Sequence, residues 1–267
     1  MEYSSKNDIQ FTVRNNNINI ITTMILAFLL QLLNIIINMN QQDLGLMDFY
    51  VLSNVSDAIS IINVIGWGIP LFVAFLCGQQ FYYFNDVKTT VFTRTRQDLF
   101  IYKRAIRSFW MSVWYLLLFY VFSFIFLVII MMIINPELNW GVSYINRSML
   151  NSALYFNQPY LYVLFYIICS SLFGGVFSLM GFLTSLYFNN KALIFLMPFT
   201  IMVLMIFVFE SNPILNIFNY NNTVLLNLTM NYQIPSIIYA MGKIGSILLY
   251  MGVLSLLIYR KGKKDLV

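Results

Sequence analysis

Few side chains in this sequence of 267 residues can do chemistry: ten Asp and Glu, fifteen Lys and Arg, no His, two Cys. Without imidazole there is no Ser-His or Cys-His nucleophile pair, no His metal site and no His proton relay. No two carboxylates share an apolar run. The acid pairs of intramembrane proteolysis and the mid-depth acids of ion-coupled carriers are therefore missing. The phosphate-cradling pattern G-x-x-x-x-G-K-[ST] does not occur, so the chain holds no P-loop for ATP. Cys77 and Cys169 stand far apart inside apolar runs and read as small apolar filler, not as a disulfide or metal pair. The expectation is a protein that is not an enzyme and has no metal of its own.

Two charged features remain. Lys243 stands inside an apolar run, and Glu210 stands at the edge of another. An ammonium in that position is expected to snorkel outward, and Glu210 is its candidate partner in an outer-edge ion pair. The second feature is the stretch DVKTTVFTRTRQD, with Asp86, Lys88, Arg94, Arg96 and Asp98. It belongs to a basic connection, 85–107, with a helical pattern: Val87, Val91, Thr95 and Leu99 recur every four residues. Such a helix lies along a membrane surface. Its bases serve either as an anchor on anionic lipid or as a docking element for a cytoplasmic partner.

The elements that position these groups are set by composition. Sixty per cent of the residues are hydrophobic and 9% are charged, against about 25% charged in soluble domains. A chain so poor in charge cannot cover a globular surface with polar groups and belongs in a bilayer. We read one all-α transmembrane domain over 1–267, with spans at 18–37, 58–84, 109–134, 161–188, 192–209 and 237–259. The runs are continuous and not alternating, which excludes a closed barrel. Thirteen of the fifteen bases fall on one side: two before the first span, six in 85–107, Lys191, and four in the tail. By the positive-inside rule both termini face the cytoplasm, and the net charge of +5 needs no nucleic acid partner. The polar first residues and the absence of a small-residue cleavage site suggest that the first span itself directs insertion.

Within the spans, Gly66, Gly68 and Pro70 predict a bend in the second, and Pro198 predicts one in the fifth. The fourth carries Ser170, Ser171, Gly174, Gly175, Ser178, Gly181 and Ser185. Small residues four apart let helix backbones approach, and we read them as packing within one chain in preference to a dimer seam. The outer connection 210–236 holds two apolar stretches too short to span, between Pro213 and Pro235. It forms either a re-entrant or interfacial hairpin or a plain amphipathic loop.

Taken in order, these features resemble the permease subunits of ABC-2 type exporters, of the small bacterial peptide and antibiotic exporter kind. Those chains have six spans, cytoplasmic termini, a basic segment between spans two and three and an outer re-entrant hairpin before span six. The stretch most similar to them is FYYFNDVKTTVFTRTRQDLFIYKRAIRSF, residues 81–109. The resemblance implies that 86–99 is a cytoplasmic coupling helix whose Asp86, Lys88, Arg94, Arg96 and Asp98 dock a separate ATPase. It implies that 1–17 is a connecting helix, although its apolar residues alternate with a period of two. It implies two copies of an ABC ATPase carrying ATP and Mg, and a second permease chain, identical or homologous. The function expected on this ground is ATP-driven export of an amphipathic peptide, drug or lipid-like substrate from the plasma membrane. A non-transporting immunity or sensor protein that binds a peptide is the alternative. Enrichment in Asn, Ile and Tyr looks like a low-GC Gram-positive bacterium.

Overall fold

The computed structural model describes residues 21–26, 28–29, 97–134, 159–188 and 236–264, with single positions at 193, 196–198, 200–201, 204 and 218. Among the described residues every regular element is helical. Three long helices dominate: α1 (Gln97–Ile134), α2 (Pro159–Tyr187) and α3 (Ser236–Lys264). Each contains a stretch long and apolar enough to cross a membrane: Ile101–Ile130, Val163–Tyr187 and Ala240–Gly262. These match the third, fourth and sixth expected spans, and the chain is a multi-pass membrane protein on that ground. The expected span at 58–84 lies outside the described residues, and those at 18–37 and 192–209 are described only in part.

The first of these helices differs from expectation. The basic connection and the span that follows it are separated in the sequence reading at 107–109. The structure runs one 38-residue helix through that point, about 57 Å long at 1.5 Å per residue. No Gly or Pro interrupts residues 97–109, and the buried face continues unbroken through Ile101, Ala105 and Ser108 into Ser112 and Leu116. A helix whose packed stripe never lapses has no reason to break. Residues 97–99 of the expected coupling helix, Asp98 among them, thus belong to α1, and residues 86–96 lie outside the described residues.

Pro159 opens α2, where a missing N–H costs nothing because the first turn has no intrahelical acceptor to lose. The Phe188 N–H donates to the Thr184 carbonyl at 2.9 Å and closes its last turn. This helix is the most enclosed: from Phe173 to Phe182 every residue is buried. Phe109 and Val113 of α1, Phe173, Phe177 and Met180 of α2, and Ile247, Leu254 and Ile258 of α3 form one core.

Side-chain pairs fix the directions. Ser108 bonds to Ser178, Ser112 to Gly174, and the Tyr120 ring sits 5.9 Å from that of Tyr166. Each step forward on α1 thus matches a step back on α2, and the two are antiparallel. Lys243 lies by Phe173 and Lys261 by Tyr187, so α2 and α3 are parallel. The N-terminal end of α1 and the C-terminal ends of α2 and α3 therefore meet at one end of the bundle. That end carries Lys103, Arg104, Arg107, Arg260 and Lys261. Two spans can run parallel only if the chain crosses the membrane an odd number of times between them. One crossing in 189–235, as at 192–209, meets that condition.

Candidate functional site

The α1–α2 seam is built from small residues. A Cβ on Gly175 would stand 2.6 Å from the Phe109 ring and 2.7 Å from Val113, and one on Gly174 would collide with Leu116. At that separation serine hydroxyls reach across. The Ser108 and Ser178 hydroxyls are 2.5 Å apart, Ser178 also donates to the Ser108 carbonyl at 3.2 Å, and Ser112 donates to the Gly174 carbonyl at 3.1 Å. The small-residue stripe of the fourth expected span is thus used within the chain. Its partners on α1, Ser108 and Ser112, are four residues apart and were legible as a matching stripe, but sequence reasoning did not single them out.

On the other flank of α2 stands the one charge that the sequence puts inside an apolar run. The Lys243 side chain is fully enclosed, at 0% exposure. It lies seven residues into α3, about 10 Å along the axis from Ser236. The Lys243 Nζ sits 5.3 Å from the centroid of the Phe173 ring, in cation–π range. Cys169, one turn away on α2 and buried, is within electrostatic reach of the same ammonium. The Ser246 hydroxyl turns back to the Lys243 carbonyl at 2.8 Å. Expected to snorkel outward, Lys243 instead points into the bundle. Phe173 offers a π face there, and a buried cation is held by such partners when water is excluded.

Below Lys243 the column continues. Phe173 packs beside Tyr250, with ring centroids 6.4 Å apart, and the Tyr250 hydroxyl donates to the Phe218 carbonyl at 3.0 Å. Tyr250 lies ten residues into the apolar stretch that begins at Ala240, about 15 Å along the axis. Its side chain tilts back toward the helix N-terminus by about one turn at most. The backbone at Phe218 is thus held roughly 10 Å inside the span. This is a position where an exposed carbonyl has no water to bond.

Of the residues singled out in the sequence, Asp86, Lys88, Arg94, Arg96, Gly66, Gly68, Pro70 and Glu210 lie outside the described residues. Asp98 is in α1. Pro198 is buried in helical backbone, and Ile201 beyond it packs against the core. Nothing in the sequence pointed to the Tyr250–Phe218 contact, because a backbone acceptor has no residue signature. Among the described residues no group of three His, Cys, Asp or Glu could hold a metal ion. What the described residues of the site do is hold helices and a buried Lys243 side chain in one arrangement. Comparison with known proteins finds no match: no family profile, no curated protein and no solved structure is similar to the chain.

Proposed function

We propose that this chain is the membrane-spanning permease subunit of an ATP-driven ABC exporter, working with a separate ATPase that binds ATP and Mg. The observation that carries the reading is the Phe218 carbonyl bonded to Tyr250 at depth within the last span. It supports a re-entrant outer hairpin in 210–236, between a fifth span at 192–209 and a sixth at 237–259. The parallel course of α2 and α3 supports the same six-span frame, with both termini on the basic, cytoplasmic side. Within that frame Asp86, Lys88, Arg94, Arg96 and Asp98 form the ATPase-docking surface. Gly66, Gly68, Pro70 and Pro198 supply the bends that let spans move with it. Two such chains, identical or homologous, enclose the path of an amphipathic peptide, drug or lipid-like substrate. ATP acts by favouring one arrangement of the ATPases, and the docking surface passes that preference to the spans.

The test is recovery of partners on the tagged full chain from native membranes. An ABC ATPase is expected to co-purify, with recovery lowered by Arg94→Lys/Arg96→Lys and by Asp98→Ala. Losing a charge-assisted contact costs on the order of 1–3 kcal/mol, and Arg-to-Lys preserves charge while removing bidentate geometry. Recovery of a peptide with no ATPase would replace this reading with the non-transporting immunity or sensor protein.

A further inference from the structure

The outward face of α1 carries a row that the core does not use. Lys103, Arg107, Trp110 and Trp114 follow one another at spacings of four, three and four, and all are exposed. The two indoles are 51% and 59% exposed, and Leu118, one turn further, is exposed too. On a helix this spacing makes one continuous stripe. It begins with two cations and continues with large apolar groups.

The helix register gives the depth of these cations. Counted from the level Ser108–Ser178, Tyr187 lies nine residues toward the basic end along α2, about 13 Å. Arg107 and Lys103 lie one and five residues toward that end along α1, about 2 and 8 Å. The Lys261 ammonium over the exposed Tyr187 ring, 5.0 Å from its centroid, marks the level of the polar interface. The α1 cations therefore leave the helix about 6 to 12 Å further into the membrane than that marker. Their side chains tilt toward the helix N-terminus and so toward the interface.

We propose that this row binds a phospholipid with an anionic headgroup from the leaflet at the basic end of the bundle. Lys103 and Arg107 hold the phosphate, and the acyl chain runs along Trp110, Trp114 and Leu118. Charge complementarity selects the occupant. Two exposed cations at membrane depth need an anion that enters the bilayer, and the apolar stripe beyond them needs a hydrocarbon partner. A single anionic lipid supplies both. The inference rests on the membrane reading alone and stands whether or not the chain is an exporter.

The experiment uses lipid-borne quenchers. The chain has four Trp, so Trp67→Phe/Trp140→Phe leaves Trp110 and Trp114 as the only indoles. This full-length variant is reconstituted in phosphatidylcholine vesicles containing a minor fraction of brominated-chain lipid. Brominated phosphatidylglycerol is expected to quench several-fold more strongly than the same fraction of brominated phosphatidylcholine. Lys103→Gln/Arg107→Gln should remove that excess, at about fivefold in occupancy per charge. Arg260→Gln/Lys263→Gln, an equal loss of charge on α3, should leave most of it. Equal quenching by the two lipids in the parent chain overturns the proposal, and that comparison needs no charge variant to fold. So does an equal effect of the two charge pairs, which would mean bulk attraction without a site.

Discussion

The Tyr250 hydroxyl and the Phe218 carbonyl, 32 residues apart, are joined by a 3.0 Å hydrogen bond, with Tyr250 ten residues into the apolar stretch of α3. The phenol stands beside Phe173, whose ring also faces Lys243. One face of α3 thus ties α2 on one side and the connection before α3 on the other.

Removing that hydroxyl takes away the Tyr250 bond to the Phe218 carbonyl. Tyr250→Phe should loosen the connection at a cost of about 0.5–1.5 kcal/mol, the net contribution of one hydrogen bond. Labelling of Phe218→Cys by a membrane-impermeant maleimide reads the change directly. Labelling is expected to be slow in the parent background and several-fold faster with Tyr250→Phe. Equal rates would mean that the bond does not hold this segment.

The α1–α2 seam makes a distinction between two neighbouring glycines. A methyl at 174 meets the far end of Leu116, a flexible side chain that can turn aside. A methyl at 175 meets an aromatic ring and a β-branched residue together, and neither has a free rotamer to take. Gly175→Ala should therefore destabilise more than Gly174→Ala, by about 1–3 kcal/mol, the range for overpacking. Thermal unfolding in detergent measures both. Val113→Ala should recover part of the loss at 175 and none at 174.

How much of this was legible follows from what each feature depends on. The three long helices were readable because apolar length alone decides whether a segment spans. The small residues of α2 were readable because spacing of four fixes a face. The unbroken start of α1 was obscured by charge: Lys103, Arg104 and Arg107 look like the edge of a span. The buried stripe through Ile101, Ala105 and Ser108 runs under them. The inward turn of Lys243 was not legible because composition gives a residue's depth and not its azimuth. That angle depends on where α2 presents Phe173.

Lys243 also bears on Glu210. If the two form the ion pair expected from the sequence, charge and not shape matters, and the pair should tolerate exchange. Lys243→Met should then destabilise by about 3–5 kcal/mol, because removing one partner of a buried pair leaves Glu210 without its counter-charge. Lys243→Glu should destabilise strongly, by about 3–5 kcal/mol, as a buried charge with a like partner. Lys243→Glu/Glu210→Lys should restore most of the loss. Expression and thermal unfolding of the four chains check this, and a double variant no better than Lys243→Glu alone would rule the pairing out.

The continuity of α1 leads to a prediction about coupling. Asp98, in the proposed docking surface, stands on the same helix as Ser108 and Ser112, which lock onto α2. A push at the helix start is then carried to the α1–α2 seam as the movement of a rod, with no hinge to absorb it. Softening the rod between these points should separate docking from transport. Tyr102 and Ile106 are exposed and outside the core, so glycine there removes no buried contact and costs about 1 kcal/mol of helix propensity at each position. Tyr102→Gly/Ile106→Gly should keep ATPase recovery near the parent level, because the docking residues are unchanged. It should lower the substrate-dependent stimulation of ATP hydrolysis in reconstituted vesicles by several-fold. The control is Tyr102→Ala/Ile106→Ala, which removes the same side chains and keeps the helix stiff, and it should behave as the parent. Loss of stimulation in both pairs would assign the effect to the side chains, and loss in neither would show that coupling does not pass along α1.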